Sequence, residues 1–262
     1  MNKKIAIIGG GNLGQAIASG LLTEDFKPSN LTITRHKTEL LSPYKDQGVV
    51  ISSSNIDAVK TSQIIIIAVK PYIIESVLKE ISSYISSEHL IISVVSDFSI
   101  EAINNLLQTS PIVFRAMPNT AASVNESITC IASHNASEED TKRVTSIFNA
   151  LGETISINEH LMDAATVLGA CGIAYVLRFI RGMIQGGIEI GFDAKTATKI
   201  ATQTVKGASE LLLQKGNHPE AEIDKVTTPK GCTIAGLNEM EHQGFSSALI
   251  KGIKTSYDNI SD

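Results

Sequence analysis

The chain has 262 residues, 43% hydrophobic and 19% charged, enough for one large domain or two modest ones around a real core. A formal net charge of -5 without long like-charge runs excludes the basic stripe that a nucleic-acid surface requires. Cys130, Cys171 and Cys232 lie far apart with no C-x-x-C pair, which speaks against a disulfide framework or zinc site and for a reducing, cytoplasmic setting.

The first predicted element is a strand from Lys4 to Gly9, which the glycines that follow cut too soon for a signal-peptide core. Gly9-Gly10-Gly11-Asn12-Leu13-Gly14 fits G-x-G-x-x-G directly after that strand and directly before the helical pattern Gln15 to Leu22. Gly9 is expected to make the tight turn, Gly11 to let backbone approach a pyrophosphate, and Gly14 to permit close packing of helix on strand. The helix amino terminus then offers free N–H groups to the phosphates, so a dinucleotide is expected here rather than a merely structural turn.

The second strand, Leu31 to Thr34, runs into Arg35-His36-Lys37. An NAD site would place an acidic residue about twenty positions after the last glycine, to meet the ribose hydroxyls. Thr34 and Arg35 instead suit a 2′-phosphate, which predicts NADPH, with NADH a weaker alternative. Taken without context, the same charges are a solvated loop.

Further strands are predicted at Val49 to Ile51, Ile64 to Val69, Leu90 to Val95, Ile112 to Arg115, Ile128 to Ala132 and Thr154 to Ile157, alternating with helix-like stretches as βα units do. Ile64 to Ile67 lacks alternation, so that strand belongs near the sheet centre, covered on both faces. After residue 157 the strands stop, and helix-like stretches follow at His160 to Ile190, Ala194 to Gln214 and Thr233 to about Asn259.

The expected fold class is therefore α/β: an amino-terminal Rossmann doubly wound, mostly parallel sheet over residues 1–157, plus a carboxy-terminal all-helical dimerisation domain over residues 158–262. The stretch Ala164 to Ile184 is apolar on nearly every face, but Arg178, Arg181 and three glycines weaken it as a membrane span. It reads as a helix buried inside protein, in a homodimer or a higher oligomer built from dimers. The six histidines show no H-E-x-x-H spacing, so no metal is expected and each reads as a surface residue.

Three segments go beyond a generic Rossmann pattern: Asn55 with Ala68-Val69-Lys70-Pro71; Arg115-Ala116-Met117-Pro118-Asn119-Thr120; and Val226 through Leu237, which contains Thr228-Pro229-Lys230-Gly231-Cys232-Thr233 and is followed by Glu241 and Gly244-Phe245. Together they resemble the pyrroline-5-carboxylate reductase family, which reduces a cyclic imine to proline in the last step of proline biosynthesis. The resemblance implies that Asn55, Ala68, Val69, Lys70 and Pro71 line the cofactor groove, and that Met117, Pro118 and Asn119 turn backbone toward the nicotinamide.

The resemblance also implies a substrate site for a cyclic imine carrying a carboxylate, at Thr228, Gly231, Cys232 and Thr233. Thr233 takes the position of the catalytic residue that hydrogen-bonds the imine nitrogen, and Thr228 that of a serine near the carboxylate. On its own physics, a polar turn opening a helix is either a carboxylate receptor or simply a capped helix start.

Four departures from the family pattern stand out: Ala170-Cys171-Gly172-Ile173 for G-S-G-P, Ser96-Asp97 for A-G, Lys230 within P-G-G, and Ala121 for proline. Losing the proline at Ile173 is expected to straighten or lengthen its helix. Lys230 is strained if its backbone needs positive φ; otherwise its charge assists carboxylate binding. The departures leave room for a paralogue reducing another cyclic imine, or for a non-catalytic NADPH-binding protein. A β-hydroxyacid dehydrogenase would need a lysine between Leu161 and Gly187, where there is none.

Overall fold

The structure is a computed structural model that describes residues 3–23 and 26–260. In chain order its first elements are β1 (Ile5–Ile8), α1 (Asn12–Thr23), β2 (Leu31–Thr34), α2 (Ser42–Lys45), β3 (Val50–Ser52), α3 (Asn55–Lys60), β4 (Ile64–Ile67), α4 (Ile74–Ile81), β5 (Leu90–Ser93), α5 (Ile100–Leu106), β6 (Ile112–Met117), β7 (Ser127–Ser133), α6 (Glu138–Asn149) and β8 (Gly152–Ser156). Among the described residues these strands form one sheet in the order β3-β2-β1-β4-β5-β6-β7-β8.

All neighbours run parallel except β6 and β7. The link between those two is a short 3-10 helix, Thr120–Val124, closed by a left-handed Asn125. So short a link cannot carry the crossover that a parallel partner needs. Strands β4 and β5 stop at Ile67 and Ser93, two residues before their predicted ends, whereas β6 runs two residues past Arg115.

The four isoleucines of β4 are fully buried, as their unbroken apolar run predicts. Ile64 and Ile66 join the layer formed with α1 and α6, through Ile17, Leu21, Ile147 and Phe148. Ile65 and Ile67 point the other way, into a second layer with Val59, Ile74, Leu78, Ile81 and Ile103 of α3, α4 and α5. Each such side chain contributes roughly 2 kcal/mol by leaving water. The helices start on local signals: the hydroxyls of Ser54, Ser99 and Ser137 accept from the backbone N–H of Asp57, Ala102 and Asp140.

The remaining elements are helical: α7 (Met162–Ala165), a π stretch (Thr166–Cys171), α8 (Gly172–Glu189), α9 (Ala194–Lys215), α10 (Pro219–Val226), α11 (Cys232–His242) and α12 (Phe245–Asp258). The chain divides into two compact units, the sheet with the residues up to Cys171, and Gly172–Asn259. The division thus falls later than the expected 157/158. Residues 158–171 pack on the sheet because Glu159 pairs with Arg115 and Met162 packs against Met117 and Ala132.

The helix runs on through Ile173, lengthened as the lost proline implies, although a π stretch precedes it. The expected last stretch is two helices, broken at Gly244 with φ 80, and α10 was not predicted although Pro219 at its first turn and the His218 ring on the Glu220 N–H mark its start. Within a single chain α8 has no buried residue; the cover expected for it is a second chain.

Candidate active site

The three glycines of the first turn differ in what surrounds them. Gly9 has φ 108, and a Cβ there would lie 2.5 Å from the Ala68 carbonyl oxygen. A Cβ on Gly14 would overlap the Gly9 carbonyl, which brings α1 tight against β1. Around Gly11 there is nothing within 4 Å of the same position. Packing therefore requires the outer two, while Gly11 is open space at the amino terminus of α1, where a phosphate fits.

Thr34, Arg35 and Asn55 converge on this turn. The Thr34 hydroxyl accepts from the Gly9 N–H at 3.3 Å and donates to Asn55 Oδ1 at 2.7 Å. Arg35 Nη1 donates to the Gly10 carbonyl at 2.6 Å, so the guanidinium is half-buried beside the turn, with His36 and Lys37 exposed next to it. A fixed cation at the end of β2, with no acidic residue on that strand end, fits a ribose phosphate, although Asn55 Nδ2 donates to Glu80 Oε2 at 2.9 Å beside it. Ala68 is tied to β1 through the Ile8 carbonyl at 2.8 Å, Val69 packs on the second core layer, and Lys70 and Pro71 are exposed. Asn12 is exposed on the first turn of α1, and Leu13 packs on the core below.

At the end of β6, Met117, Pro118 and Asn119 are all buried. Asn119 Oδ1 accepts from the Ala121 N–H at 2.9 Å, and its Nδ2 donates to the Gly169 carbonyl at 3.2 Å. Those bonds commit the side chain to capping the Thr120–Val124 turn and fastening the π stretch. Met117 is likewise spent on packing against Met162. What this strand end offers a ligand is its backbone. Sequence reasoning missed Arg115 and Glu159 here, a buried ion pair at 3.3 Å, although an arginine inside the apolar run Ile112–Met117 was the available signal.

Thr228, Gly231, Cys232 and Thr233 come together at the opening of α11. The Gly231 N–H donates to the Thr228 carbonyl at 2.9 Å, closing a β-turn with Pro229 second and Lys230 third. Lys230 has φ 59, the left-handed conformation that this turn imposes at its third position and that glycine or asparagine favours. The open alternative from the sequence is resolved: Lys230 is strained, by about 1–2 kcal/mol. Asp97, another residue standing where the family pattern has glycine, also has positive φ, at 56.

Gly231 is the N-cap of α11 and provides no side-chain cap, so the first N–H groups of that eleven-residue helix face outward unmet. Thr228 and Thr233 are exposed, and among the described residues their hydroxyls make no hydrogen bond. Free donors and a helix dipole together favour an anion. Among the described residues no cluster could hold a metal ion. The cysteines are free, and burial pushes the Cys130 thiol up, which keeps it neutral.

Residues 159–262 match the family model described as pyrroline-5-carboxylate reductase dimerisation, and residues 4–97 match one described as NADP oxidoreductase, coenzyme F420-dependent. Pyrroline-5-carboxylate reductase 1 of Dictyostelium discoideum is 46% identical over 97% of this chain, which spans only 48% of that protein's length. Pyrroline-5-carboxylate reductase 2 of the same organism is 45% identical, over 97% of this chain and 91% of its own. The crystal structure of Plasmodium falciparum pyrroline carboxylate reductase with NADP bound is similar with a TM-score of 0.90 at 29% identity, covering 99% of this chain and 97% of that one.

Proposed function

Because the chain belongs to the pyrroline-5-carboxylate reductase family, we propose that it catalyses the NADPH-dependent reduction of 1-pyrroline-5-carboxylate to L-proline, the last step of proline biosynthesis. The observation that carries this reading is the opening of α11, where unmet N–H groups and two unbonded hydroxyls suit a small carboxylated ligand.

NADPH, when bound, supplies the hydride. The chain's own task is positioning, which accounts for much of the rate in a reaction between two bound partners. Gly11 admits the pyrophosphate to the amino terminus of α1, with Asn12 and Leu13 in the same turn. Thr34, Arg35 and Asn55 hold the ribose phosphate side, which favours NADPH over NADH. Ala68 to Pro71 and the backbone of Met117 to Asn119 line the groove toward the nicotinamide. The α11 N–H groups at Cys232 and Thr233, with Gly231 and the Thr228 hydroxyl, take the substrate carboxylate. Thr233 hydrogen-bonds the imine nitrogen and keeps the proton at that atom, so that reduction leaves a neutral ring N–H.

The exposed apolar face of α8 is covered by a second copy of the chain, in a homodimer or an oligomer of dimers. Arg178 and Arg181 within that helix oppose a lipid neighbour, although Glu159–Glu189 is long and apolar enough to span a membrane. Free cysteines suit the cytoplasm. A second reading, reduction of another carboxylated cyclic imine, is favoured by Asp97 and Lys230, which put charges where the family pattern has glycine.

The test follows NADPH absorbance with 1-pyrroline-5-carboxylate and with a six-membered-ring homologue. Turnover of the five-membered imine is expected, with kcat/KM lowered at least about tenfold in Thr233→Ala by loss of one hydrogen bond at the reacting nitrogen. Arg35→Ala is expected to narrow the NADPH preference by about tenfold or more. Tight NADPH binding without turnover of either imine would refute the proposal.

A further inference from the structure

Three elements end on the carboxylate of Glu159, a residue with no part in the site described above. Its Oε1 accepts from the backbone N–H of Ile100, the first residue of α5, at 2.8 Å, and lies 3.3 Å from Nη1 of Arg115 on β6. Its Oε2 lies 2.9 Å from Nε2 of His134, just beyond β7. The Arg115 side chain is 6% exposed and that of Glu159 14%. Nη2 of Arg115 reaches only to Asp163, at 3.9 Å, and among the described residues neither it nor Nε makes a hydrogen bond. So thinly satisfied a buried guanidinium depends on Glu159 for its countercharge.

The position of this hub in the sheet points to its use. Arg115 is in register with Ser93, the last residue of β5, so the hub lies at the carboxyl edge of β5 and β6. Residues 94–99 leave β5 and return at Ile100, whose N–H Glu159 holds. Met117 to Asn119 leave the sheet just after Arg115. Ligands of open α/β sheets bind beyond such strand ends. The Met117–Met162 contact and, at the far end of residues 159–171, the Asn119–Gly169 hydrogen bond fasten that segment to the same place.

We infer that Glu159 is a positioning residue for hydride transfer: by holding Ile100 and Arg115 to one carboxylate it sets the spacing of the loops that follow β5 and β6, and through them the seat of the nicotinamide. This rests on the dinucleotide reading proposed above. The hydrogen bonds of Glu159 leave Gly9 to Gly14 and Arg35 untouched, so affinity for the phosphates does not depend on it.

The test compares wild type, E159Q and R115M/E159Q for NADPH affinity, fluorescence of the bound nicotinamide, thermal stability and kcat. E159Q is expected to bind NADPH within about twofold of wild type, with nicotinamide emission moved toward that of free cofactor and kcat lowered at least about tenfold, the scale of a small misplacement of reacting groups. R115M/E159Q removes the buried charge that E159Q leaves with only Asp163, 3.9 Å away, so it recovers thermal stability but neither kcat nor the bound emission. Recovery of kcat together with stability overturns the inference and leaves Glu159 a structural brace. So does wild-type emission and kcat in E159Q, or a loss of NADPH affinity that matches the loss of rate. If the wild type binds NADPH but reduces no imine, the proposed function fails, and the emission of the two variants still decides for or against Glu159.

Discussion

The sheet-bearing unit and the helical unit bury their apolar residues in different ways. In the first, strands and helices close two core layers, and β1, β4 and β5 have next to no exposed surface. In the second, the buried residues among Gly172–Asn259 are Ala197 and Ala201, while Val176, Leu177, Phe179, Leu249 and Ile250 stand exposed. A similar apolar share thus completes one unit within a chain and leaves the other with uncovered apolar faces, which the proposed homodimer would cover.

The comparison breaks most visibly on the groove lined by Tyr175, Phe179, Met183, Met240, Phe245 and Leu249, about 770 Å³ in volume. Phe179→Asp with Leu249→Asp is expected to leave the chain monomeric at about 10 μM by sedimentation, with part of its helical circular dichroism lost and NADPH binding retained. A variant that stays dimeric would show that this face is not the one a second copy covers. Next in size, Gly14→Val drives a side chain into the Gly9 carbonyl, inside the self-sufficient unit. Calorimetry should show NADPH binding weakened about a hundredfold, roughly 2.7 kcal/mol. The smallest effect concerns Lys230. Lys230→Gly relieves the left-handed strain at a smaller cost in chain entropy, and is expected to raise Tm by about 2 °C. An unchanged Tm together with a higher KM would mean that the charge, rather than the backbone, is what matters at that turn.

The strands are legible in the sequence because short apolar runs rich in isoleucine, such as Ile64–Ile67 and Leu90–Ser93, fit a sheet covered on both faces. The cofactor turn is legible because Gly9 and Gly14 meet separate steric demands while Gly11 leaves open space at the start of α1. Other features escape for physical reasons. The reversal at β7 depends on the length of a link, not on the residues of the strand. The contacts that Glu159 to Cys171 make with the sheet escape because their anchors, Arg115 and Asn119, are more than forty residues away in sequence, although the dimerisation family model begins at residue 159. The turn at Thr228 is found only through its likeness to a family, since a short polar run carries little signal of its own.

The uninterrupted Ile64–Ile67 strand has a consequence before the fold exists. Four consecutive β-branched residues, continued by Ala68 and Val69, form the kind of uncharged, proline-free segment that pairs readily with copies of itself on other unfolded chains. In the native sheet that hazard vanishes, because β1 and β5 occupy both of its edges. The exposed Lys70 and Pro71 that follow it act as gatekeepers, interrupting the run where a growing aggregate would extend it.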